Sequence, residues 1–281
     1  MNKNNDFIPI YQIDAFTEVP FKGNPAAVCL ITKDYSDEFL QKIAAEMNLS
    51  ETAFIYVQDI NEIKETDGFR LRWFTPKVEV NLCGHATLAS ASVLFFEIGI
   101  NADKVNFDTL SGRLIAKKID DSIGLNFPLN EPEDITPPKA LLDAMGIENC
   151  LAAAYAKNVT DILLELENEN EVKRIAPNFG DMLELKLDID IRGVVITSKG
   201  SNNIDFVSRF FAPWAGINED PVTGSTHTIL TPYWSKILGK KEMSANQLSE
   251  RGGELTVKIV ENNRVEIIGK TSLVLKGEFY L

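Results

Sequence analysis

Histidine and cysteine are scarce in this chain, with two and three copies among 281 residues. Cys29, Cys83 and Cys150 are too few and too scattered for a disulfide framework. The odd count and the lack of a secretory leader predict a reducing, cytoplasmic setting. Neither histidine belongs to a His-x-x-x-His pair, and the cysteines do not cluster, so no metal site is expected. Positive charge is also short: 28 Lys and Arg face 41 Asp and Glu, a formal net charge of −13. Nucleic-acid partners are held by clustered cations, so that class is excluded. No apolar run approaches the roughly 20 residues a membrane helix needs, and no membrane partner is expected. No Gly-rich dinucleotide fingerprint follows a strand, and there is no Gly-x-Ser-x-Gly elbow. Gly269-Lys270-Thr271 imitates the end of a phosphate loop, but Arg264 stands where the earlier glycine belongs.

What remains is the usage of an ordinary globular protein, 44% hydrophobic and 25% charged, long enough for two domains. The chain carries a long internal repeat. Arg72-Trp73-Phe74-Thr75-Pro76, then Cys83-Gly84-His85 and an apolar run, is answered by Arg209-Phe210-Phe211-Ala212-Pro213, then Asp220-Pro221-Val222-Thr223-Gly224-Ser225-Thr226-His227 and a second apolar run. In each copy an aromatic strand bearing an arginine ends at a proline, and a glycine opens a buried helix. Leu110-Ser111-Gly112 and the strand after it answer to Leu248-Ser249 and Gly253 onward. The offset drifts only from 137 (Arg72 to Arg209) to 141 (Gly112 to Gly253), so the repeating unit is a whole domain. Two similar lobes are predicted, residues 1–128 and 129–281, with the last strand, 273–281, free to return to the first. Such lobes imply a cleft, a favoured place for a small-molecule site.

Along the first lobe, two strands flank a turn through Pro20, Gly23, Asn24 and Pro25. Asn24 either serves that turn or orients a ligand. Ser36 caps an amphipathic helix with Phe39, Leu40, Ile43, Ala44 and Met47 on one face, ending near Asn48. Glu51 then lies at a helix-to-strand junction beside apolar neighbours. It is either a solvated surface group or a desolvated carboxyl suited to proton transfer. A charged excursion, 59–67, reads as a hairpin loop before the alternating strand Phe69 to Phe74. The run Ala86 to Phe96 is apolar on nearly every side, as a helix inside a sheet or barrel is. Residues 101–127 read as two strands around the Asp120-Asp121 turn. Asn130 to Pro138 is the linker candidate, and Lys139 to Met145 a helix capped by Gly146. Ala152 to Leu166 reads as strands, Asn168 to Asp181 as a polar connection, and Arg192 to Thr197 as a short apolar strand. Pro232 should kink the second buried helix or shift its boundary.

Glu51, His85, Asp220 and the helix starts at Gly84 and Gly224 form the chemically useful set. The helix starts offer unpaired N–H groups to a carboxylate, Glu51 can take and return a proton, and His85 and Asp220 can orient the substrate or share the proton. That describes a cofactor-independent isomerase. Ser225 as a nucleophile fits less well, since it lies where a helix cap is expected.

Several ordered motifs carry a resemblance: Asp14-Ala15-Phe16 with Gly23-Asn24-Pro25, Asn48-Leu49-Ser50-Glu51-Thr52, Phe74-Thr75-Pro76 with Gly84-His85, Glu219-Asp220-Pro221-Val222-Thr223-Gly224-Ser225, and Gln247 to Gly253. Together they closely resemble the phenazine-biosynthesis PhzF-like family, over almost the whole chain. The resemblance implies an α+β, diaminopimelate-epimerase-like fold of two pseudo-symmetric lobes, each a mixed sheet or barrel rolled around a central helix. It implies Glu51 as the proton-transfer residue with His85 and Asp220 beside it. Asn24, Ser50, Gly84, Thr223, Gly224 and Ser225 would then bind substrate. It further implies no cofactor, a small carboxylate substrate and a homodimer. Epimerases of this fold use one cysteine per lobe. Here Cys83 fills the first place and Thr223 the second, which leaves a Cys83-dependent epimerase as an alternative and a metabolite-binding protein of the same fold as another. Thr226-His227 also departs from the small residues the phenazine enzyme carries there.

Overall fold

The computed structural model describes residues 7–59, 62–261 and 263–281. The chain forms two compact units: the first runs to Asn126 and takes up Ile268–Leu281, and the second is Phe127–Ile267.

The first unit begins with β1 (Phe7–Ala15), β2 (Asn24–Ile31), α1 (Asp37–Met47), β3 (Glu51–Tyr56) and β4 (Gly68–Phe74). The short β5 (Glu79–Val80), α2 (Gly84–Ser92) and three further strands follow: β6 (Lys104–Thr109), β7 (Gly112–Ile119) and β8 (Ser122–Pro128). The pairs β2–β3 and β4–β6 are parallel, and β1–β2, β3–β4, β6–β7 and β7–β8 are antiparallel. A parallel pair needs a crossover. Helix α1 supplies that between β2 and β3, with Ser36 accepting from the Phe39 N–H and Asn48 in the left-handed region as its C-cap. Every residue of α2 from His85 to Ser92 is buried, and the helix continues as a π-helical turn, Val93–Ile98. Its neighbours β1, β2, β3 and β7 surround it, which is why its sequence has no polar face.

In the second unit come β9 (Glu133–Asp134), α3 (Lys139–Met145), β10 (Ala152–Ala156), β11 (Asp161–Glu165), α4 (Glu169–Arg174), α5 (Phe179–Glu184), β12 (Gly193–Lys199) and β13 (Phe206–Ala212). Next are β14 (Ile217–Asp220), α6 (Gly224–Leu238), β15 (Glu242–Gln247), β16 (Gly253–Val260) and β17 (Arg264–Gly269). The pairing pattern repeats: β11–β12 and β13–β15 are parallel, while β10–β11, β12–β13 and β15–β16 are antiparallel. One core packs Phe206, Phe210, Ile229, Leu230 and Trp234 between sheet and α6; another packs α3, α4 and α5 against the outer face. The last strand, β18 (Thr271–Tyr280), pairs antiparallel with β1 in the first unit.

Two sequence expectations need correction and two are refined. Residues 101–127 hold three strands, because Leu110-Ser111 is a turn of its own before the one at Asp120-Asp121. The polar connection 168–181 contains helix α4 and opens α5, capped by Asn168 and Asn178, since parallel β11 and β12 require a crossover there too. Of the two effects expected at Pro232, a shifted boundary does not occur, since α6 runs from Gly224 to Leu238 through it. The Thr228 carbonyl, which Pro232 cannot serve, instead accepts the Asn130 N–H at 3.1 Å. The buried run is helical, as expected, and closes in π-helical turns. Part of the 59–67 excursion, residues 60 and 61, lies outside the described residues.

Candidate active site

The first unit gathers Asn24, Ser50, Glu51, Cys83 and His85. Parallel pairing sets Glu51, first residue of β3, beside Ala26 of β2, two places after Asn24. Asn24 can start that strand because Gly23 turns the chain at φ +64°, in a space where a Cβ would stand 2.2 Å from the Ala15 carbonyl oxygen. Helix α2 opens at Gly84 with Cys83 as its N-cap residue, and this brings the His85 ring between the others.

The imidazole is held on both sides. Asn24 Nδ2 lies 3.2 Å from His85 Nδ1, and Cys83 Sγ lies 3.5 Å from the same nitrogen. Ser50 donates to Asn24 Oδ1 at 3.4 Å. On the other edge His85 Nε2 is 3.2 Å from Glu51 Oε2, and both side chains are almost wholly buried. The two atoms meet at ion-pair distance but out of hydrogen-bond alignment, so each keeps a bonding direction open. Burial opposes charge on His85, yet the ionised forms of Cys83 and Glu51 outweigh it and hold the imidazole well above its ordinary pKa. Burial, reinforced by the Glu51 charge, pushes the Cys83 thiol up to about 11.

Donor atoms of Glu51, Cys83 and His85 all fall within 4.8 Å of one another, as metal ligands can. The thiol and the carboxylate, however, approach opposite nitrogens of one ring, whereas an imidazole ligates through a single nitrogen. The order carboxylate, imidazole, thiol is that of groups exchanging protons.

In the second unit the loop from Asp220 to Ser225 is braced by Gln247, a fully buried residue named in the sequence only as the start of a family motif, with no role given to it. Its Oε1 accepts the Thr223 N–H at 2.9 Å, and its Nε2 donates to the Asp220 carbonyl at 2.8 Å and to Thr223 Oγ1 at 3.2 Å. Thr223 Oγ1 donates to the Asp220 carboxylate at 2.5 Å. Ser225 is half-buried at the start of α6, and Arg192 Nη1 donates to its hydroxyl at 3.1 Å. His227, next to the motif in sequence, points into the core instead: its Nδ1 bonds the Thr223 carbonyl at 2.8 Å, and burial lowers it to about 4. The available signals for Gln247 were that family motif and its place before Leu248-Ser249, within the repeat.

A family model described as phenazine biosynthesis-like protein matches residues 13–277. A protein of Halalkalibacterium halodurans, named as an uncharacterized isomerase, is 45% identical over 276 residues, covering 97% of this chain and 98% of its own. The crystal structure of a PhzF-family phenazine biosynthesis protein from Enterococcus faecalis superposes with a TM-score of 0.90 at 42% identity, covering 98% of this chain and all of that one. A hydroxyproline epimerase from Agrobacterium vitis, 12% identical with a TM-score of 0.59, covers 100% of this chain and 94% of its own, and shares the fold alone. The mixed α/β architecture is thus the diaminopimelate-epimerase-like one that the family resemblance implies. Matched in family model, sequence and architecture over nearly its whole length, the chain belongs to the phenazine biosynthesis-like (PhzC–PhzF) family and is an isomerase.

Proposed function

We propose that the chain catalyses a cofactor-independent proton shift on a small carboxylate-bearing metabolite, with Glu51 as the acid/base. The observation that carries this reading is the buried Glu51 carboxylate 3.2 Å from His85 Nε2. Glu51 takes a proton from a carbon beside a carbonyl or carboxylate and returns it elsewhere on the same skeleton. His85, biased toward its charged form, offsets the carboxylate charge, while Asn24, Cys83 and Ser50 fix the ring and its neighbours. Gly84, with unpaired N–H groups at the start of α2, is assigned to substrate binding. In the second unit Asp220 is assigned to the proton path, and Thr223, Gly224 and Ser225 to substrate binding; support comes from the bracing of that loop by Gln247.

Proton exchange in deuterated water, followed by mass spectrometry on a metabolite mixture, tests the assignment. Glu51→Gln should lose exchange by 100-fold or more, on the order expected for loss of a general acid/base. Equal exchange by wild type and variant removes Glu51 from the mechanism.

A second reading, an epimerase using Cys83, has the 3.5 Å approach of Sγ to His85 Nδ1 in its favour. A thiol held at about 11 is a poor base at neutral pH, so Cys83→Ala should keep most of the exchange. Loss of exchange in that variant would favour the thiol mechanism. The family resemblance further implies a homodimer, for which light scattering should give twice the 31.3 kDa chain mass; a mass of one chain would refute it. The three free thiols fit a reducing cytoplasm, the compartment we assign. A tagged copy found outside the cytosolic fraction would overturn that.

A further inference from the structure

The internal repeat reaches into the side chains. Arg72 grips Glu79 through Nε and Nη2 at 2.7 and 2.8 Å and stacks on Phe74; Arg209 grips Glu219 through the same atoms at 2.7 and 3.0 Å and stacks on Phe211. These anchors set a residue-by-residue equivalence. Thr52 pairs with Phe74 across β3 and β4, and Val194 with Phe211 across β12 and β13. Glu51 therefore corresponds to Gly193, and Ser50 to Arg192. The parallel pairs agree, since Ala26 faces Glu51 and Asp161 faces Gly193. At the helix starts, Gly84-His85 corresponds to Gly224-Ser225.

The second unit thus has Arg192, Asp161 and Ser225 where the first has its acid site. It has no room for a second acid. A Cβ on Gly193 would stand 2.4 Å from Phe210 Cζ and 2.9 Å from the Phe211 carbonyl oxygen. The Phe210 ring fills that space, and the Arg192 guanidinium stacks on it at 5.2 Å. Nε and Nη2 of Arg192 donate to the two oxygens of Asp161, and Nη1 donates to Ser225 Oγ. Asp161 is 0% exposed, and its desolvation outweighs the help Arg192 gives it. A buried ion pair is seldom retained for stability, because removing a carboxylate from water costs about what the pairing returns. Here the carboxylate, the ring and the hydroxyl together fix the guanidinium of a side chain that stays 35% exposed.

We propose that Arg192 is a carboxylate-binding residue that works with Ser225. Of its five N–H groups, three are used within the described residues and two remain. Ser225 Oγ accepts from Arg192, so its own proton is left to donate. The unfilled positions are all donors, and they suit a ligand that only accepts. Because Asp161 already offsets the guanidinium charge, the site favours a planar monoanion over a phosphate dianion. This deepens the proposed function by assigning a grip for the substrate carboxylate.

The test is titration by ligand-observed NMR with benzoate and succinate as probes, and with benzamide and inorganic phosphate as comparisons. A carboxylate should bind the wild type, and phosphate and benzamide should not compete. Arg192→Gln should weaken binding at least tenfold, Ser225→Ala severalfold, and Arg192→Lys to an intermediate degree, since it keeps the charge and loses the fork. Arg192→Gln leaves Asp161 unpaired in the core. The double variant Asp161→Asn/Arg192→Gln, with folding checked by circular dichroism, carries the test if the single one does not fold. Undiminished binding in either glutamine variant, no carboxylate binding to the wild type at 50 mM, or tighter phosphate binding would each overturn the proposal. Glu51→Gln should keep carboxylate binding while losing proton exchange. Loss of exchange without an Arg192 effect refutes the anchor alone, and an Arg192 effect with exchange intact in Glu51→Gln refutes the acid/base reading alone.

Discussion

The two histidines each lie in the first turn after a helix-opening glycine, and their electrostatics are opposite. His85 has an anion-forming partner at each nitrogen and is raised; His227 has a carbonyl at Nδ1, no partner at Nε2 among the described residues, and is lowered to about 4. For His227 the unfolded chain, with an ordinary value near 6.5, takes up a proton before the folded one does. Its contribution to stability is therefore complete above about pH 6.5 and is lost as pH falls toward 4. The loss amounts to about 3 kcal/mol by the usual conversion of a pKa difference. Denaturant melts of wild type and His227→Asn between pH 7.5 and 4 should show the variant, which can still donate to the Thr223 carbonyl, with a flatter profile. Parallel profiles would mean that His227 does not titrate in this way. Local pattern did not separate the two residues, because each follows a helix-opening glycine by one to three places; only the family motif singled out His85. What separates them is what each ring meets: Glu51 and Cys83 for His85, and for His227 the Thr223 carbonyl and the Phe206 ring in the core.

At the level of elements, local pattern was a good guide wherever a segment satisfies its own backbone. Helix α1, with Ser36 and Asn48 at its ends, could be read from spacing and caps, and so could α3 with Gly146. The failures were segments whose state depends on distant partners. Helices α4 and α5 are too short and polar to show a period, and they exist because β11 and β12 run parallel. Helix α6 passes through Pro232 because Asn130, roughly a hundred residues earlier, serves the orphaned carbonyl. The turn before β2 is the most constrained connection near the site. Gly23→Ala would combine a positive φ with a Cβ 2.2 Å from a backbone oxygen, so the chain must shift and Asn24 with it. A loss of about 2 kcal/mol or more is expected. It should appear as a Tm lowered by several degrees together with reduced proton exchange, since Asn24 holds the His85 ring. An unchanged Tm would show that the turn can relax.

Across the whole molecule, chain order and structural order part at the C-terminus. Strand β18 is the end of the chain, yet it pairs with β1 from Phe7 to Ala15, and Thr271 bonds Ser92 of α2 at 2.7 Å. Deleting Thr271–Leu281 removes one neighbour of β1 and exposes the edge of the unit that holds Glu51 and His85. Loss of exchange activity, with proteolysis concentrated before Asn126 while Phe127–Ile267 resists, is the expected outcome; uniform resistance would contradict it. The sequence by itself determined the duplication, the helix caps, the buried character of α2 and α6, and the motifs that mark the family, all of which depend on local pattern or on similarity along the chain. Only the tertiary structure decided which residues meet: Glu51 with His85 and Asn24, Asp161 with Arg192 and Ser225, and Gln247 with the Asp220 loop. Those meetings follow from strand register and parallel pairing, which bring together residues tens of positions apart and leave no periodic trace in composition or spacing.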